Sequence, residues 1–504
     1  MSSTVALPAA LRGVVSELEA ALGPGAVFSQ PEDTLMYEYD YGLDRGAPQI
    51  VVLPSSTEQV QRVVRIVRAA GLPLVPRGAG TGIAGGSVPR EGGVVLGVSR
   101  MRQILEIDPA NRCAVVQPGV VNLHLSHAAE PHGLFFAPDP SSQKASTIGG
   151  NVGNNAGGPH CLSLGVTTNH VLGLELVLDD GTAVRVGGKA AGGLGYDLTG
   201  LFVGSEGTMA VVTEITVRLL PLPEAVRTTL ALFSSVEAAS DAVSRLIGRG
   251  VVPAALEMMD QLALSAIEAA FHAGYPPQAG AVLLVEVDGL LEQVEAQADV
   301  VDAVCREAGA IEIRLATTAE ERARLWAARK GAASAMGRIA PNYYLHDAVV
   351  PRTRLPAILK QIVQVGERHK LPIANLFHAG DGNLHPMILF DAREPGILDR
   401  VLAAGHEILM ACIAAGGTIT GEHGVGLEKQ RFMPLIFDEH DLDAMARVRL
   451  AVAPAGLLNP NKLLPLGAGC LDGAAATNGA HARRGGMRSL PAVDLTRDAE
   501  PLWV

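Results

Sequence analysis

The segment that decides the fold is IVVLPSSTEQVQRVVRIVRAAGLPLVPRGAGTGIAGGSVP, residues 50–89. Ser/Thr residues at the start, Glu58 in the first turn and Gly71 at the end predict a helix over 55–71. The apolar runs beside it predict three short strands, at 50–54, 72–76 and 93–98. A glycine-dense loop, 77–89, therefore joins the second strand to the third. Further along the chain, the pattern predicts a helix-rich stretch over 258–272.

The loop contains Gly80-Thr-Gly82-Ile-Ala-Gly85, which matches the GxGxxG pattern of nucleotide-binding folds. The Rossmann form of that motif needs a helix that starts inside it, so that the helix N-terminus faces the pyrophosphate. Here Gly86-Ser-Val-Pro89 and then a strand follow, and the pattern predicts no helix. The sequence therefore disfavours a Rossmann site.

Three more loops are rich in Gly, Asn or Pro: PDPSSQKASTIGGNVGNNAGG (138–158), LTGLFVGSEGTMAVVTEITVRLLP (198–221) and LLNPNKLLP (457–465). Glycine lets backbone N–H groups turn inward and approach an anion closely. One such loop alone is more simply a tight turn between strands. Four together favour a large cofactor that carries a pyrophosphate and a polar ring.

The composition of the 504-residue chain excludes several classes of protein. A net charge of −12 disfavours general binding to phosphate backbones, and 4% aromatic residues disfavours stacking platforms for single-stranded nucleic acid. With 48% hydrophobic and 18% charged residues, the chain is expected to form roughly two to four folded domains. We therefore expect no nucleic-acid partner.

The five cysteines show no CxxC, zinc-ribbon or iron–sulfur spacing, which is typical of a reduced, cytosolic chain. Residues 1–24 carry charges and no long apolar run, so we predict no signal peptide. No stretch approaches the ~20 apolar residues that span a bilayer. These features predict a cytoplasmic protein, with membrane association only through partners.

A second motif gathers side chains suited to metal binding and proton transfer. In His378-Ala-Gly-Asp-Gly-Asn-Leu-His385 the Gly-Asp-Gly turn lets both imidazoles point toward one place, and Gly421-Glu422-His423-Gly424 adds a carboxylate and a third imidazole. Two His and one Glu make a borderline-hard metal site with room for a substrate. The alternative is that each is a hydrogen-bonded structural residue.

These motifs carry a resemblance to a known family. The chain resembles the FAD-linked oxidases of the vanillyl-alcohol-oxidase type over about 30–465. Within them it is similar to the flavoprotein (D) subunits of glycolate oxidase, with the D-lactate and D-2-hydroxyglutarate dehydrogenases as close relatives. The motifs that carry the likeness are RGAGTGIAGG, PDPSSQKASTIGGNVGNNAGGPHCLSLG, GLFVGSEGTMAVVTEITVRLLP, LEMMD, YYLHDAVVPR, FHAGDGNLHP, GEHGVG and LLNPNKLLP.

The resemblance implies an α+β fold. It comprises a two-lobed FAD-binding domain, an α/β cap domain with an antiparallel sheet, and a C-terminal segment that returns to the flavin. The predicted units are an N-terminal helix and connection (1–47), the FAD-binding domain (48–225), the substrate or cap domain (226–420), the segment that completes the flavin site (421–465), and a disordered tail rich in Ala, Gly and Arg (466–504).

The resemblance also implies the residues around the cofactor. Thr81 stands where some members carry a His that links FAD covalently, which implies non-covalent FAD. The implied cofactor-binding residues are Arg77, Gly78, Ala79, Gly80, Thr81, Gly82, Pro138, Asp139, Ser141, Ser142, Thr147, Gly149, Gly150, Asn151, Asn154, Gly157, Gly204, Glu206, Gly207, Ile215, Asn459 and Lys462.

For the chemistry, the resemblance implies that His378, His385 and Glu422 bind a divalent metal such as zinc. It implies that His423 is the base that takes the hydroxyl proton, and that Arg329 binds the substrate carboxylate. A guanidinium is suited to that role because its fork is bidentate. Without the resemblance, Arg329 would be interpreted as a solvated helix charge.

The chain departs from the hydroxyglutarate enzymes where those grip a distal carboxylate. It has Ala333, the Tyr343-Tyr344-Leu345 stretch and Met387 at those places. The departures favour a small monoacid, glycolate or D-lactate, over a five-carbon diacid.

The sequence therefore predicts an FAD-dependent 2-hydroxy-acid dehydrogenase of the glycolate oxidase type. The implied partners are a small 2-hydroxy acid, a second flavin-type subunit and an iron–sulfur subunit. Two alternatives stay open. One is a stand-alone D-lactate or other D-2-hydroxy-acid dehydrogenase with a quinone, cytochrome or oxygen as acceptor, and the other is an inactive nucleotide-binding scaffold.

Overall fold

The computed structural model describes residues 9–190, 195–276 and 278–465. Within these ranges the chain forms two lobes, each with its own sheet, and a larger cap built on an eight-stranded sheet. The disordered tail predicted over 466–504 lies outside the described residues. Short 3₁₀ helices occur at Leu35–Tyr37, Glu130–His132, Thr167–His170, Met336–Arg338, Arg352–Arg354 and Gln430–Leu435.

The first lobe contains α1 (Ala9–Leu22), β1 (Val27–Phe28), α2 (Pro31–Thr34), β2 (Ile50–Val52), α3 (Thr57–Ala69), β3 (Leu74–Arg77) and β4 (Val94–Gly97). Its sheet has the order β1-β2-β4-β3, and β4 runs parallel to both β2 and β3. The Ser56 hydroxyl caps α3 by accepting from Gln59 N, and a valine stripe buries one face of the helix. Between β3 and β4 no helix forms, as predicted, so the glycine loop is an open turn.

The second lobe contains β5 (Ile104–Asp108), β6 (Cys113–Val116), α4 (Asn122–Ala129), β7 (Leu134–Phe135), α5 (Ile148–Asn154), α6 (Cys161–Leu164), β8 (Val171–Val177), β9 (Ala183–Gly187), α7 (Leu198–Phe202), β10 (Val211–Arg218) and β11 (Leu220–Pro221). Its antiparallel sheet has the order β5-β6-β10-β8-β9. Alternate residues of β10 are buried, as expected for a strand with one face on a core.

The cap contains β12 (Ala225–Phe233), α8 (Val236–Gly248), β13 (Ala255–Asp260), α9 (Gln261–Phe271), β14 (Ala281–Gly289), α10 (Leu291–Glu307), β15 (Glu312–Leu315), α11 (Ala319–Lys330), α12 (Ala332–Ala335), β16 (Asn342–Leu345), β17 (Ala348–Val349), α13 (Leu355–His369), β18 (Ile373–His378), β19 (Asn383–Phe390) and α14 (Ile397–Ala414). The sheet order is β15-β12-β14-β13-β18-β19-β16, with β17 also on β19, and every pair is antiparallel.

Both faces of the cap sheet are covered by helices. Along β12, Ala231 and Phe233 pack with α8, α10, α13 and α14, whereas Leu230 and Leu232 pack with α9, α11 and α12. The alternation follows the two-residue period of a strand. Because β18 and β19 are covered on both faces, the polar residues at their ends are buried as well.

The last described segment returns to the first lobe. After α15 (Glu439–Val452), Leu74 N donates to Leu457 O and Asn459 N donates to Leu74 O, each at 2.8 Å. These bonds place the 457–465 loop beside the glycine loop that follows β3. The structure thus confirms the predicted α+β class with its returning C-terminal segment.

Two local predictions were wrong. The helix-rich stretch predicted over 258–272 begins as strand, because Met258 and Met259 pair with both β14 and β18. Only after Asp260, whose side chain accepts from Ala263 N, does α9 begin. In the glycine-rich segment 138–158, seven residues form α5, since Thr147 caps its start and Asn155 ends it in a left-handed conformation.

Candidate active site

A cavity of about 440 Å³ lies where the two lobes meet the cap. Its walls are the loop after β3, the segment around α5, the turn before β10, the end of α11 and the polar ends of β18 and β19. Such a volume is typical of a cofactor or small-molecule site. Pro140, which belongs to the 138–158 segment, also lines it.

Most of the predicted site residues line this cavity. The predicted cofactor-binding residues among them are Arg77, Gly78, Ala79, Gly80, Thr81, Gly82, Ser141, Ser142, Thr147, Gly149, Gly150, Asn151, Asn154, Gly157, Glu206 and Gly207. The predicted catalytic and metal-binding residues in the lining are Arg329, His378, His385, Glu422 and His423. The fold thus brings residues more than 340 positions apart in the printed sequence to one site.

The cofactor side of the cavity has a lining that fits FAD. Gly80 has φ +70°, and a Cβ there would lie 2.2 Å from Arg77 Nη2. A Cβ on Gly149 would lie 2.9 Å from the Pro118 carbonyl oxygen. Side chains at these places would clash with the groups that pack against the loops and would displace the loops, whereas glycines keep the loop path and leave backbone N–H groups accessible to a pyrophosphate.

The Arg77 side chain turns away from this cradle and ties the loop to the N-terminal segment. Its Nη2 donates to the Tyr39 carbonyl oxygen at 2.7 Å, and its Nη1 donates to Ser87 Oγ at 3.3 Å. Arg77 is 8% exposed, so its charge is enclosed among these acceptors. The guanidinium therefore shapes the loop from behind.

Six predicted cofactor residues stand outside the lining and hold its loops instead. They are Pro138, Asp139, Gly204, Ile215, Asn459 and Lys462. Ile215 is a fully buried core residue of β10, and the Pro138 carbonyl accepts from Asn122 Nδ2 at 2.8 Å. Gly204 N donates to Val152 O at 2.8 Å, which ties the turn before β10 to α5.

The C-terminal loop joins both glycine turns through Asn459. Its Nδ2 donates to Gly86 O at 2.7 Å and to Glu206 O at 2.6 Å. Lys462 Nζ donates to Val88 O at 2.6 Å, which adds a second tie to the first loop. Both side chains are almost fully buried, so this segment positions the cradle without facing the cavity.

The other end of the cavity is a cluster of imidazoles and carboxylates around Glu422. Glu422 Oε1 lies 3.2 Å from His378 Nε2, 3.5 Å from His385 Nε2 and 3.6 Å from His423 Nε2. The rings of His385 and His423 stack with their centroids 4.9 Å apart. The sequence prediction that the HAGDGNLH and GEHG motifs converge is therefore matched by their positions.

Asp347 holds the loop that carries Glu422 and His423. Its Oδ2 accepts from the Thr420 hydroxyl at 2.6 Å. The same atom accepts from the backbone N–H groups of residues 421, 422 and 423 at 3.0, 3.1 and 2.9 Å. Asp347 is fully buried, with Lys429 Nζ at 3.5 Å from Oδ2. A buried carboxylate with so many donors stays ionised, and the neighbouring imidazoles and Lys429 hold its pKa well below the usual range despite burial.

Glu257 joins His378 to Arg329 behind the cavity wall. Its Oε1 lies 2.6 Å from His378 Nδ1, and its Oε2 lies 2.5 Å from Arg329 Nη2. Glu257 is fully buried and Arg329 is 3% exposed. Arg329 Nε and Nη2, which form one edge of the guanidinium, have no aligned hydrogen-bond acceptor. The arginine is thus charge-balanced by Glu257, and the residue lines the cavity.

Two imidazoles of the cluster, those of His378 and His423, have pKa values shifted in opposite directions. Burial alone lowers the pKa of His378, but the carboxylates of Glu257 and Glu422 dominate and hold it well above 6.5. Burial also lowers the pKa of His423, here to about 4, because Asp347 only partly offsets it. At neutral pH the unloaded site therefore has a protonated His378 and a neutral His423.

Sequence reasoning assigned no role to Glu257 or Asp347, although both lie in motifs that carry the resemblance, LEMMD and YYLHDAVVPR. An acidic residue inside an apolar strand, as in LEMMD, is the pattern that could have indicated Glu257. Tyr344 and His346, which precede Asp347 in the same motif, do not line the cavity. Their rings pack together with centroids 4.5 Å apart.

The chain matches two family models: residues 48–187 match the FAD binding domain, and residues 222–463 match the C-terminal domain of FAD linked oxidases. It is 47% identical over 436 residues to the glycolate oxidase subunit GlcD of Escherichia coli, which covers 86% of this chain and 87% of that protein. It is 33% identical over 417 residues to the D-lactate dehydrogenase of Archaeoglobus fulgidus, covering 82% of this chain and 91% of that protein.

Among solved structures, p-cresol methylhydroxylase with substrate bound superposes with a TM-score of 0.78 at 19% identity, over 91% of this chain and 97% of that one. This likeness confirms the predicted vanillyl-alcohol-oxidase type of fold. The chain belongs to the family of FAD-linked oxidases. It is an FAD-dependent oxidoreductase of the branch that includes the GlcD subunits and D-lactate dehydrogenases.

Proposed function

We propose that this chain oxidises a small 2-hydroxy acid, with glycolate as the best substrate, to the 2-oxo acid. The observation that carries the proposal is the convergence of Arg329, His378, His385, Glu422 and His423 at one end of a glycine-lined cofactor cavity. The similarity to GlcD and to a D-lactate dehydrogenase supports the same substrate class.

Arg329 is proposed to bind the substrate carboxylate. Arg329 lines the cavity, and a guanidinium presents paired donors that suit a bidentate carboxylate contact. Glu257, 2.5 Å from Nη2, balances the charge until the substrate arrives. The contact orients the α-carbon, and orientation of reacting groups contributes much of enzymatic rate enhancement.

His423 is proposed to accept the proton of the substrate hydroxyl. Its lowered pKa keeps the imidazole neutral, and its side chain is 21% exposed at the cavity. Asp347 Oδ2 lies 3.7 Å from Nδ1, so a buried carboxylate is in place to stabilise the imidazolium that forms. FAD, when bound, supplies the acceptor for the α-hydride.

His378, His385 and Glu422 are proposed to bind a divalent metal such as zinc. Metal–ligand bonds of about 2.1 Å in a tetrahedral site separate the ligand atoms by about 3.4 Å. Two of the three separations fit that spacing, since Glu422 Oε1 lies 3.2 Å from His378 Nε2 and 3.5 Å from His385 Nε2. Glu257 would orient His378 through Nδ1, as carboxylates behind metal-bound histidines do. The ion, when bound, supplies Lewis-acid polarisation of the hydroxyl.

A second ligand set overlaps the first. Asp347, His385, Glu422 and His423 offer atoms that all lie within 4.8 Å of one another. That set would occupy His423 and leave the reaction without its base. It would also need Asp347, whose Oδ2 already accepts four hydrogen bonds. The set with His378 is therefore favoured.

The preference for a monoacid is proposed from the cavity wall beyond Arg329. Ala333, Leu345 and Met387 line it and offer no cation for a distal carboxylate. The nearby Lys330 also lines the cavity, but its Nζ is held 2.7 Å from Asp139 Oδ2. A five-carbon diacid would therefore leave its second carboxylate without a free cationic partner, at a cost in binding.

We further propose that the electrons leave through partner subunits, namely a second flavin-type subunit and an iron–sulfur subunit. The relative from Escherichia coli is named a subunit, and the sequence offers no iron–sulfur spacing of its own. Within the described ranges, every helix is too short or too polar to cross a bilayer. A cytoplasmic location, at the membrane only through those partners, is the matching proposal.

The test is anaerobic rapid mixing of the FAD-loaded protein with single substrates, following loss of the oxidised-flavin absorbance. Glycolate is expected to reduce the flavin fastest, D-lactate more slowly and D-2-hydroxyglutarate least. A faster reaction with D-lactate would favour the stand-alone D-lactate dehydrogenase. Failure of all 2-hydroxy acids to reduce bound FAD would contradict the proposal.

A further inference from the structure

A second charged cluster lies at the junction of the cofactor lobes and the cap, outside the catalytic set. Asp139 Oδ2 lies 2.8 Å from His160 Nδ1 and 2.7 Å from Lys330 Nζ. His160 Nε2 lies 3.4 Å from Glu286 Oε1 on β14. Asp139 and His160 belong to the second lobe, whereas Lys330 and Glu286 belong to the cap. These four residues, termed the junction cluster, connect the two parts of the molecule.

The junction cluster holds α11 on both sides of Arg329. Lys330 is the last residue of the helix, and Trp326, one turn earlier, donates from Nε1 to Glu286 Oε2 at 2.6 Å. Positions four apart lie on the same helix face, so Trp326 and Lys330 both point to the junction. Arg329 lies between them and contacts Glu257.

The contact between Arg329 and Glu257 cannot set the place of the arginine relative to the cofactor. Glu257 lies on β13, so that ion pair is internal to the cap. The distance from the guanidinium to a cofactor on the glycine loops depends instead on contacts that cross the junction. The bonds of Asp139 to Lys330 and of His160 to Glu286 are such contacts, and Asp139 directly precedes the cavity-lining segment 140–142.

The charges of the junction cluster are balanced and mostly shielded from water. The side chains of Asp139, His160, Lys330 and Glu286 are 14%, 21%, 20% and 9% exposed. Burial alone lowers the pKa of His160, but Asp139 and Glu286 outweigh it and raise it to about 10. Two cations thus face two carboxylates at neutral pH, and a shielded network of this kind holds its geometry better than a solvated surface pair.

We propose that the junction cluster is a positioning device for Arg329, which fixes the end of α11 against the cofactor lobe so that the guanidinium meets the substrate carboxylate in the productive pose. The inference rests on the proposed oxidation of a 2-hydroxy acid. His160 is not part of the cavity lining, so it acts through Asp139, Glu286 and the Trp326 ring, whose centroid lies 5.5 Å from its own.

The test uses His160→Gln in the full-length, FAD-loaded protein, with kinetics expressed per bound flavin. KM for glycolate is expected to rise about tenfold, as for loss of one charge-assisted contact. Oxalate, a carboxylate that is not oxidised, is used to measure binding alone, through the change it causes in the flavin spectrum. Its dissociation constant is expected to rise by the same factor. FAD content is expected to stay at the wild-type level.

The matched control is Glu307→Gln. It breaks an ion pair on the exposed side of the cap, in which Arg249 Nη2 lies 2.5 Å from Glu307 Oε2 and both side chains are about half exposed. It is expected to leave both constants unchanged. A merely structural role of His160 would lower the melting temperature but leave KM and the oxalate constant per flavin as in the wild type, and that result would overturn the inference.

If His160→Gln does not fold, Trp326→Phe removes the indole donor to Glu286 with little change of volume and is measured in the same way. In an Asp139→Asn and His160→Gln double variant, the rise in KM is expected to be smaller than the product of the two single effects, because both substitutions break the Asp139–His160 contact. Wild-type protein that oxidises no 2-hydroxy acid would refute the proposed function. Active wild type with unchanged constants in the His160 and Trp326 variants would refute the positioning role alone.

Discussion

The cofactor side and the catalytic side of the cavity are built by different means. On the cofactor side, glycines such as Gly80 and Gly149 leave room, and the backbone faces the ligand. On the catalytic side, charged side chains from distant strands and loops meet around Glu422, and each is held by a partner behind it. Substitutions on the first side should change how well FAD is retained, whereas substitutions on the second should change turnover while FAD stays bound.

The largest expected effect is that of His423→Asn on the catalytic side. If His423 is the base, flavin reduction by glycolate should slow by about 10²–10⁴-fold, the usual contribution of general-base catalysis. FAD content and reoxidation should be unchanged, as stopped-flow spectra can measure. The control is His369→Asn, at a surface histidine paired with Glu407. Wild-type reduction rates in His423→Asn would remove this residue from the mechanism.

Arg329→Ala should act mainly on substrate binding. Loss of a charged hydrogen bond, about 1.5–3 kcal/mol, predicts a rise in KM of roughly 10- to 150-fold. The variant also leaves the Glu257 carboxylate buried without its cation, which is unfavourable in itself. Comparison with the double variant Arg329→Ala, Glu257→Gln separates this effect from the loss of substrate binding. Steady-state kinetics with glycolate measure the effect. An unchanged KM in both variants would show that another cation binds the carboxylate.

Removal of the metal should stop turnover without releasing the flavin. Exhaustive chelation is expected to abolish glycolate oxidation while the flavin spectrum stays intact. Glu257→Gln should weaken metal binding by about 10–100-fold, because its carboxylate orients His378. Elemental analysis and metal titration measure this. Full activity in metal-free protein would leave His378 and His385 as direct hydrogen-bond partners of the substrate.

On the cofactor side, Gly80→Ala should weaken FAD retention several-fold and leave flavin reduction per bound FAD unchanged. A Cβ is strained at φ +70° and would meet Arg77, whose guanidinium is fixed by Tyr39 O. Gly248→Ala in α8, with nothing within 4 Å of the added Cβ, is the control. Acid should release the FAD from wild type, since Thr81 replaces a linking histidine. Flavin that stays on the denatured chain would contradict the non-covalent assignment.

The smallest expected effect is on stability, at the junction of the two sides. The pKa of His160 is raised from 6.5 to about 10, so the stabilisation from its protonated form is fully present below about pH 6.5. It is lost as the pH rises through about 10. Wild type should therefore have a higher melting temperature than His160→Gln. The difference should be largest near pH 6.5 and should shrink toward pH 10. A constant difference would show that the charge of His160 does not contribute.

The sequence by itself determined the elements and motifs of both sides. Ser/Thr residues at the start, Glu58 in the first turn and Gly71 at the end were enough to predict α3, and the absence of a helix after Gly85 followed from Pro89 and the next strand. The convergence of HAGDGNLH with GEHG was also predictable, because these residue types suit one chemistry. Local patterns sufficed wherever neighbours in the chain decide the conformation.

Only the tertiary structure decided what stands behind those motifs. Met258 and Met259 became strand because two partner strands were available, against the helical expectation. Glu257 binds His378, which lies 121 positions away in the sequence. Asp347 binds the 420–423 loop, which lies 73 to 76 positions away. A buried carboxylate is tolerated only where such donors meet it, and no local pattern specifies which distant donors will do so.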